Sequence, residues 1–349
     1  MTCRHLALAL AAVIPTALSA QSFKVDSFNI GGEWRFDYVN ADAQGRVYVS
    51  RSTHVMVVDG QTGKVLGDIQ DTPGVHGAAF SARDGTGFTT NGSDSTLTMF
   101  SLKDFSVIKK VHVGINGLDG IYYDDGADRI VTSNHSGSRG ANGTLTIVDA
   151  KSGNVVGQVE LSGVPEGAAS DAKGRYYVNL ENKSEIEVID AKTLKSITTW
   201  PIAPCDGPSG LAIDRKSMRL FAGCSDTSVV VDATSGKVVA TLKNGPGVDA
   251  LGFDADRKLI YIPGGGDGTV TIYRETTPDK YDLVATVSSM RGARTLGVDA
   301  KNHRAYTFTP SYGPAPEAAN PPAGGGGGRG RGRGPMGPMT GAWLFAISQ

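Results

Sequence analysis

The sequence lacks a net charge, because 34 Lys and Arg residues are balanced by 35 Asp and Glu residues and the formal charge is −1. A protein without a strong positive field has no long-range attraction to nucleic acid or to an anionic membrane surface. Nucleic acid is therefore not an expected partner, and we predict a monomer that meets a small molecule or another protein.

Long helical periodicity is also scarce in the chain. Instead, 47 glycines and short apolar runs between turn residues are typical of an all-β protein with many turns. With 349 residues, of which 40% are hydrophobic, the chain has enough apolar side chains for a large core.

No apolar stretch is long enough to cross a bilayer. The N-terminal run at residues 6–14 is shorter than the ~20 residues that a spanning helix needs. It follows Arg4 and His5 and precedes small residues, which is the pattern of a secretory signal peptide. We predict a signal peptide at residues 1–20 and export to a periplasm or out of the cell; an N-terminal membrane anchor is the less favoured alternative.

Cysteine is rare, with Cys3 inside the predicted signal peptide and only Cys205 and Cys224 after it. In an oxidising compartment two such cysteines favour a disulfide. Two free thiols are the alternative. The repeat described below places Cys205 and Cys224 on the same face of the fold, which favours the pairing.

Common enzyme signatures are missing from the sequence. It contains no Gly-x-Ser-x-Gly elbow, no His-Glu-x-x-His, no Cys-x-x-Cys-His and no phosphate-binding loop. Local motifs therefore give no support to catalysis.

What the chain does contain is a recurring hairpin. Residues 229–242 (VVVDATSGKVVATL) place two β-branched runs around an Asp-centred turn, where Asp bonds the backbone and Gly takes a positive φ. Related segments occur at residues 57–64, 147–154 and 186–197, the last without the Gly. A hairpin alone is marginally stable, so its repetition predicts neighbours that complete a sheet.

A second pair of strands precedes each hairpin, and the residue that ends the first strand defines seven units. These anchor residues are Asp42, Ser81, Asp124, Asp171, Asp214, Asp254 and Asp299. Their spacing of about 39 to 47 residues is the period of a four-stranded propeller blade. We therefore predict an all-β, seven-bladed β-propeller of four-stranded antiparallel blades.

The two ends of the chain predict how the ring closes. Residues 23–30 resemble an outer strand d, whereas the seventh unit ends at residues 342–347 with a strand c. The N-terminal strand should complete the last blade, which removes exposed sheet edges. Residues 21–349 then form one domain, with a flexible Gly/Arg/Pro-rich loop at 311–340 in the last blade.

Residues 175–179 (RYYVN), followed by residues 186–190 (IEVID), resemble the strand-turn-strand signature of the YVTN-type, or YncE-like, seven-bladed propellers. The resemblance covers residues 23–347, although other blades match more loosely. It implies the propeller fold and a role as a binding platform, and it names no ligand.

One aligned position predicts where a ligand contacts the protein. The residue five places before each anchor begins strand a, which lines the central channel near the face that carries the d-to-a and b-to-c connections; we call this the upper face. These residues, the upper ring, are Asp37, His76, Asp119, Glu166, Ser209, Asp249 and Arg294. None of them is apolar, so we predict a binding site there.

Three interpretations of the upper ring stay open at the sequence level. Its carboxylates repel one another unless cations or protons offset them, so the ring suits a ligand held without catalysis. A divalent cation such as Ca²⁺ could sit among the oxygens and polarise an ester or lactone, which makes a lactonase-like hydrolase the alternative function. The third interpretation is a solvated channel mouth. No other cofactor is expected.

Loop residues after strands b lie near the same face: His54, Asn91, His135, Glu181, Asp226 and Asp267. Convergence of His54, His76 and His135 would allow a transition-metal site, although no local spacing requires it. The tract around Arg329, Arg331 and Arg333 is interpreted as a linker or a lid in preference to a polyanion-binding segment.

Overall fold

A computed structural model describes residues 22–32, 36–135, 142–314 and 337–349 of the protein. The predicted signal peptide at 1–20 and the arginine-glycine tract with Arg329, Arg331 and Arg333 lie outside the described residues. The same is true of most of the third blade's b-to-c insertion.

The Asp-centred turns form the tight hairpins that the sequence predicts. Asp59 Oδ1 accepts hydrogen bonds from the backbone and hydroxyl of Thr62, both at 2.8 Å, and Gly63 adopts a φ of 72°. In the hairpin that lacks the Gly, Leu194 takes the left-handed conformation with a φ of 55°. The bonds of Asp to the backbone therefore fix this turn even where glycine is absent.

The strands form seven four-stranded antiparallel sheets, the blades of a propeller. Blade 1 contains β2 (Val39–Ala41), β3 (Arg46–Ser50), β4 (Val55–Asp59) and β5 (Val65–Ile69). Blade 2 contains β6 (Val75–Ser81), β7 (Thr86–Asn91), β8 (Thr96–Ser101) and β9 (Val107–His112). Blade 3 contains β10 (Leu118–Asp124), β11 (Arg129–Asn134), β12 (Thr144–Asp149) and β13 (Val155–Glu160).

The next three blades repeat this order. Blade 4 contains β14 (Pro165–Ser170), β15 (Arg175–Leu180), a 3₁₀ turn (Glu181–Lys183), β16 (Glu185–Asp190) and β17 (Lys195–Pro201). Blade 5 contains β18 (Leu211–Asp214), β19 (Arg219–Ala222), β20 (Thr227–Asp232) and β21 (Val238–Lys243). Blade 6 contains β22 (Gly252–Asp254), β23 (Leu259–Gly264), β24 (Thr269–Thr277) and β25 (Lys280–Ser288).

Blade 7 closes the ring with strands from both ends of the chain. Its strands a to c are β26 (Leu296–Asp299), β27 (Arg304–Tyr312) and β28 (Met339–Ser348), and its strand d is β1 (Lys24–Asn29). Because β1 pairs with β28, the predicted closure by the N-terminal strand is confirmed. Strands β27 and β28 also extend into the predicted loop 311–340, since Ser311 pairs with Gly341.

The core lies between the blades. The described residues form seven buried apolar clusters, one at each contact between neighbouring blades. The cluster between blades 7 and 1 combines Val47 and Val58 with Tyr306, Phe308 and Leu344. Since every blade is covered on both faces, its strands b and c are buried along most of their length, in apolar stretches such as β4 and in polar ones such as β7.

A disulfide joins Cys205, in the connection that leads into blade 5, to Cys224 after strand b of that blade. Their Cα atoms are 5.5 Å apart, and both residues are buried in the cluster between blades 4 and 5. Among the described residues, none belongs to a helix of the length and apolarity required to traverse a membrane.

Candidate functional site at the upper mouth of the channel

Backbone hydrogen bonds between neighbouring inner strands fix the position of the upper ring. Tyr38 N donates to His76 O at 3.1 Å, and Gly167 N donates to Ser209 O at 2.7 Å. Each bond links one blade to the next at the residue where strand a begins. The side chains of the ring are therefore held by the closed propeller and do not depend on a long loop.

His76 lies between two carboxylates from the adjacent blades. Its Nδ1 is 2.6 Å from Asp37 Oδ2 and 3.4 Å from Asp119 Oδ1. Gly92 leaves room for the imidazole, because a Cβ at this position would lie 2.8 Å from His76 Nε2. Blades 1, 2 and 3 thus meet through one imidazole.

Arg294 extends this contact to blades 6 and 7. Its guanidinium bonds Asp249 through Nε and lies 3.3 Å from Asp37 Oδ1. It also stacks over Phe36, with 5.6 Å between Cζ and the ring centroid, an arrangement that stabilises a cation. Asp37 therefore contacts a cationic group on each side.

His135 completes the network on the other side of Asp119. Its Nε2 is 3.5 Å from both Asp119 Oδ2 and Glu166 Oε1 and donates a hydrogen bond to Pro165 O at 2.7 Å. The repeat pattern predicts His135 near this face only as one of several loop residues. Its place in the network depends on the path of the loop after β11, which the repeat does not predict.

Acidic and basic groups alternate around the mouth of the channel. In order they are Asp249, Arg294, Asp37, His76, Asp119, His135 and Glu166. Six of the seven predicted ring residues are brought together in this way. Ser209 is the exception, because it is buried and its hydroxyl donates to Val248 O at 3.0 Å.

The charges of this network are not balanced. Four carboxylates accompany a single guanidinium, so the network has an excess of acidic groups that protons or further cations must offset. Burial lowers the pKa of His76, but the bond to Asp37 and the charge of Asp119 outweigh it and raise this pKa. The ring therefore favours an additional positive charge.

The pKa values of the acidic groups agree with this imbalance. Burial raises the pKa of Glu166 well above its ordinary value, and repulsion from Asp119 and Asp249 adds to the effect. Burial also raises the pKa of Asp119, although the neighbouring His76 opposes it. The raised pKa values of Glu166 and Asp119 thus indicate that nearby cationic groups do not fully offset their negative charge.

The channel beneath the ring contains a small cavity of about 160 Å³. Its lining includes Tyr38, Tyr122, Ser209 and Asp249, and the buried Tyr122 hydroxyl has no hydrogen-bond partner among the described residues. The volume is below the ~300–1,000 Å³ of typical small-molecule pockets. It suits water or a small ion, and a larger ligand would contact the mouth from above.

Among the described residues of this network, two groups of side chains have potential ligand atoms close enough to share a metal ion. Asp37, His76 and Asp119 form the first group, and Asp119, His135 and Glu166 form the second; in each group the potential ligand atoms lie within 4.8 Å of one another. The two groups share Asp119, which directs Oδ1 to His76 and Oδ2 to His135.

Three other loop residues considered from the sequence, His54, Asn91 and Asp267, bond outside the network. His54 contacts Asp68 at 3.6 Å, so the three histidines do not form the common contact that a transition-metal site of His54, His76 and His135 would require. Asn91 is buried and bonds Thr96 and Thr98, and Asp267 caps the turn before Thr269. These residues stabilise local structure.

No family model matches the chain, and no curated protein matches it. Among solved structures, a chain of Kuenenia stuttgartiensis hydrazine synthase is 15% identical, with a TM-score of 0.67 over 77% of this chain and 91% of its own. A chain in the crystal structure of the mitotic checkpoint complex is 14% identical, with a TM-score of 0.68 over 88% of this chain and 96% of its own. Both neighbours are propellers. At these identities the likeness shows the fold alone, and the YVTN-type family stays a prediction.

Proposed function

We propose that the protein is an exported, non-enzymatic binding protein of the YVTN type that holds a positively charged ligand over the upper mouth of its channel. The observation that carries this proposal is the alternating network from Asp249 to Glu166. Its carboxylates outnumber its permanent cation, and a ligand cation supplies the missing charge.

Access to the network supports a binding role. The side chains of His76, Asp37 and Asp119 are 35%, 21% and 17% exposed, so the ring can be reached from solvent and is still partly desolvated. Electrostatic attraction is stronger in such a setting than on an open surface. The rigid blades hold these groups before the ligand arrives, which lowers the entropic cost of binding.

The disulfide supports export. It fixes the upper-face loop that leads into blade 5, and stable disulfides are typical of oxidising compartments. Together with the predicted signal peptide, it favours a periplasmic or secreted protein, which we propose is a monomer.

The experiment is a thermal-shift titration at low salt with a panel of small cations: spermidine, ethylenediamine, guanidinium and the divalent ions Ca²⁺, Mn²⁺ and Zn²⁺. At least one should raise the unfolding temperature, because a ligand at 100 times its Kd stabilises by about 2.7 kcal/mol. The variant Asp37→Asn/Asp119→Asn should lose the shift.

Asp282→Asn is the matched control for this experiment. Asp282 lies on the outer strand of blade 6 with 48% of its side chain exposed, so its loss removes one carboxylate without touching the mouth. The proposal is wrong if no cation in the panel shifts the wild-type protein, or if the shift is the same in the double variant.

A metal-assisted hydrolase such as a lactonase is the alternative function. It is favoured by the convergence of His76 with two carboxylates, because a metal ion there could polarise a carbonyl at the mouth. Hydrolysis of a γ-lactone that depends on added metal and is lost in His76→Gln would support this alternative. Metal binding without any such hydrolysis would leave the non-enzymatic function.

A further inference from the structure

We propose that Asp37, His76 and Asp119 bind one divalent transition-metal ion, with His135 as a positioning residue for Asp119. This inference rests on the proposed function, in which the ring binds a cation, and it names the chemical class of that cation.

The ligand atoms of the three side chains lie within 4.8 Å of one another, which is close enough for one small ion after a modest adjustment. Ligands at the ~2.0–2.2 Å typical of zinc are about 3.4 Å apart when the geometry is tetrahedral. His76 Nδ1 and Asp119 Oδ1 already have this separation, 3.4 Å. Asp37 Oδ2, which is 2.6 Å from the same nitrogen, needs to move by less than about 1 Å to reach it.

A second observation points to a ligand at this place. Asp119 Oδ1 is buried and accepts no hydrogen bond from any residue that the structure describes. A buried acceptor without a donor costs about 1–3 kcal/mol. A metal ion between this oxygen and His76 would satisfy it, while Oδ2 keeps its contact with His135.

The nitrogen donor decides the class of metal. Ca²⁺ and Mg²⁺ prefer sites made of oxygen ligands alone, whereas an imidazole beside carboxylates suits zinc, iron, cobalt or nickel. Three protein ligands leave at least one coordination position open, and the exposed mouth allows water or a ligand to occupy it. The structure therefore favours a transition metal over the Ca²⁺ considered from the sequence.

The neighbouring group of Asp119, His135 and Glu166 is not a second metal site. His135 Nε2 donates to Pro165 O at 2.7 Å, and a metal on this nitrogen would leave that carbonyl without its donor. His76 Nδ1 donates to Asp37 Oδ2 in the metal-free protein, but this carboxylate becomes a ligand itself when metal binding displaces the proton. The distance of 3.5 Å between His135 Nε2 and Asp119 Oδ2 instead lets His135 orient the carboxylate of Asp119. Residues that orient metal ligands in this way affect affinity about 10- to 100-fold.

A second histidine-carboxylate pair in the described part of the chain lacks a third ligand and therefore serves as a negative control for metal binding. His303 Nδ1 lies 2.8 Å from Asp254 Oδ2, a geometry close to that of His76 and Asp37. No second carboxylate that would complete a metal site with His303 is found among the described residues. His303→Gln therefore removes a similar pair and should leave metal binding unchanged.

The test uses the purified full chain after chelation and dialysis. It is titrated with Co²⁺, whose visible absorption reports nitrogen ligation, and with Zn²⁺ and Ca²⁺ by calorimetry. We expect one equivalent of Co²⁺ or Zn²⁺, bound at least about 100-fold more tightly than Ca²⁺. His76→Gln and Asp119→Asn should each weaken Zn²⁺ binding about 100-fold or more, and His135→Gln about 10-fold with an unchanged Co²⁺ spectrum.

Circular dichroism and unfolding in chelator show which variants are folded, and either ligand variant suffices if the other fails to fold. Two equivalents of metal, equal affinity for Ca²⁺ and Zn²⁺, or an equal loss in His303→Gln would each overturn the assignment. Spermidine stabilisation without any metal binding would overturn it as well and leave the proposed function standing. If the protein neither binds metal nor is stabilised by spermidine, both the metal site and the proposed function are wrong.

Discussion

His76 Nδ1 lies 2.6 Å from Asp37 Oδ2, a contact between two residues 39 positions apart that joins blade 2 to blade 1 at the mouth of the channel. The backbones of the same two blades are joined by the bond from Tyr38 N to His76 O. The ring side chains are thus part of the contacts that join neighbouring blades, and their charge imbalance acts on the stability of the fold.

Replacing Glu166 by Gln should stabilise the protein in the absence of added metal. Burial and repulsion raise the pKa of Glu166 well above its ordinary value of 4.5. A carboxyl with a raised folded-state pKa contributes stability at low pH, and this contribution is lost as pH rises through the folded value. The unfolding temperature of Glu166→Gln should therefore match wild type near pH 4.5, the ordinary value, and exceed it at about pH 8.

Glu160→Gln provides the control for this experiment, because Glu160 is an exposed residue at the end of the outer strand of blade 3. It should show no gain at either pH. A wild-type protein more stable than Glu166→Gln at the higher pH would mean that the carboxylate is compensated in the folded protein.

The hydrogen bonds of the buried Asp214 lead us to predict that the folded protein loses stability in acid. Burial alone would raise the pKa of this carboxyl, but hydrogen bonds from Lys258, Ser217 and the backbone of Lys216 outweigh this and hold the pKa well below its ordinary value. A lowered folded-state pKa contributes stability above the unfolded value of about 3.9, and the contribution disappears as pH falls below it.

Asp214→Asn should lower the free energy of unfolding by about 2 kcal/mol at about pH 7, and the difference should shrink as pH falls from about 4 toward about 2. Urea denaturation at several pH values measures this. Asp282→Asn, on the exposed outer strand, should follow wild type throughout; a constant deficit of Asp214→Asn across this range would contradict the assignment.

The closure of the ring can be tested with two glycines of similar backbone conformation. Gly63 has a φ of +72°, and a Cβ there would lie 2.4 Å from Phe28 Cβ on the N-terminal strand β1. Gly85 has a φ of +68°, and a Cβ there would meet no atom within 4 Å. Each Gly→Ala change costs about 1–2 kcal/mol for the left-handed conformation.

Gly63→Ala should cost about 1–3 kcal/mol more than Gly85→Ala, because it also displaces β1. Denaturant midpoints give the difference, and faster amide hydrogen exchange in Lys24–Asn29 should appear in Gly63→Ala alone. Equal midpoints for the two variants would show that β1 adds little to stability.

The disulfide should stabilise the loop that leads into blade 5. Cys205 and Cys224 are separated by 19 positions, and closing a loop of this size is worth about 3 kcal/mol in the chain-entropy description. Cys205→Ser/Cys224→Ser should lower the free energy of unfolding by roughly this amount. Purified exported protein in which both thiols react with an alkylating agent without prior reduction would contradict the pairing.

The sequence by itself determined the fold. The Asp-centred turns, the recurring strands and the outer strand at the N-terminus all depend on local chemistry and on periodic burial, which are visible in one dimension. For the same reason the aligned position before each anchor identified Asp37, His76 and Asp119 as neighbours around one axis.

Only the tertiary structure decided which of these polar groups meet and in what order. The path of a single loop brings His135 into the charged network at the mouth of the channel. The Ser209 hydroxyl instead points to Val248 O and stays outside the network. The tertiary structure also leaves Asp119 Oδ1 without a donor among the described residues. These outcomes depend on side-chain directions and on distances of a few ångströms between blades, which no repeat pattern encodes, because the repeat specifies the backbone and the charges lie in its variable positions.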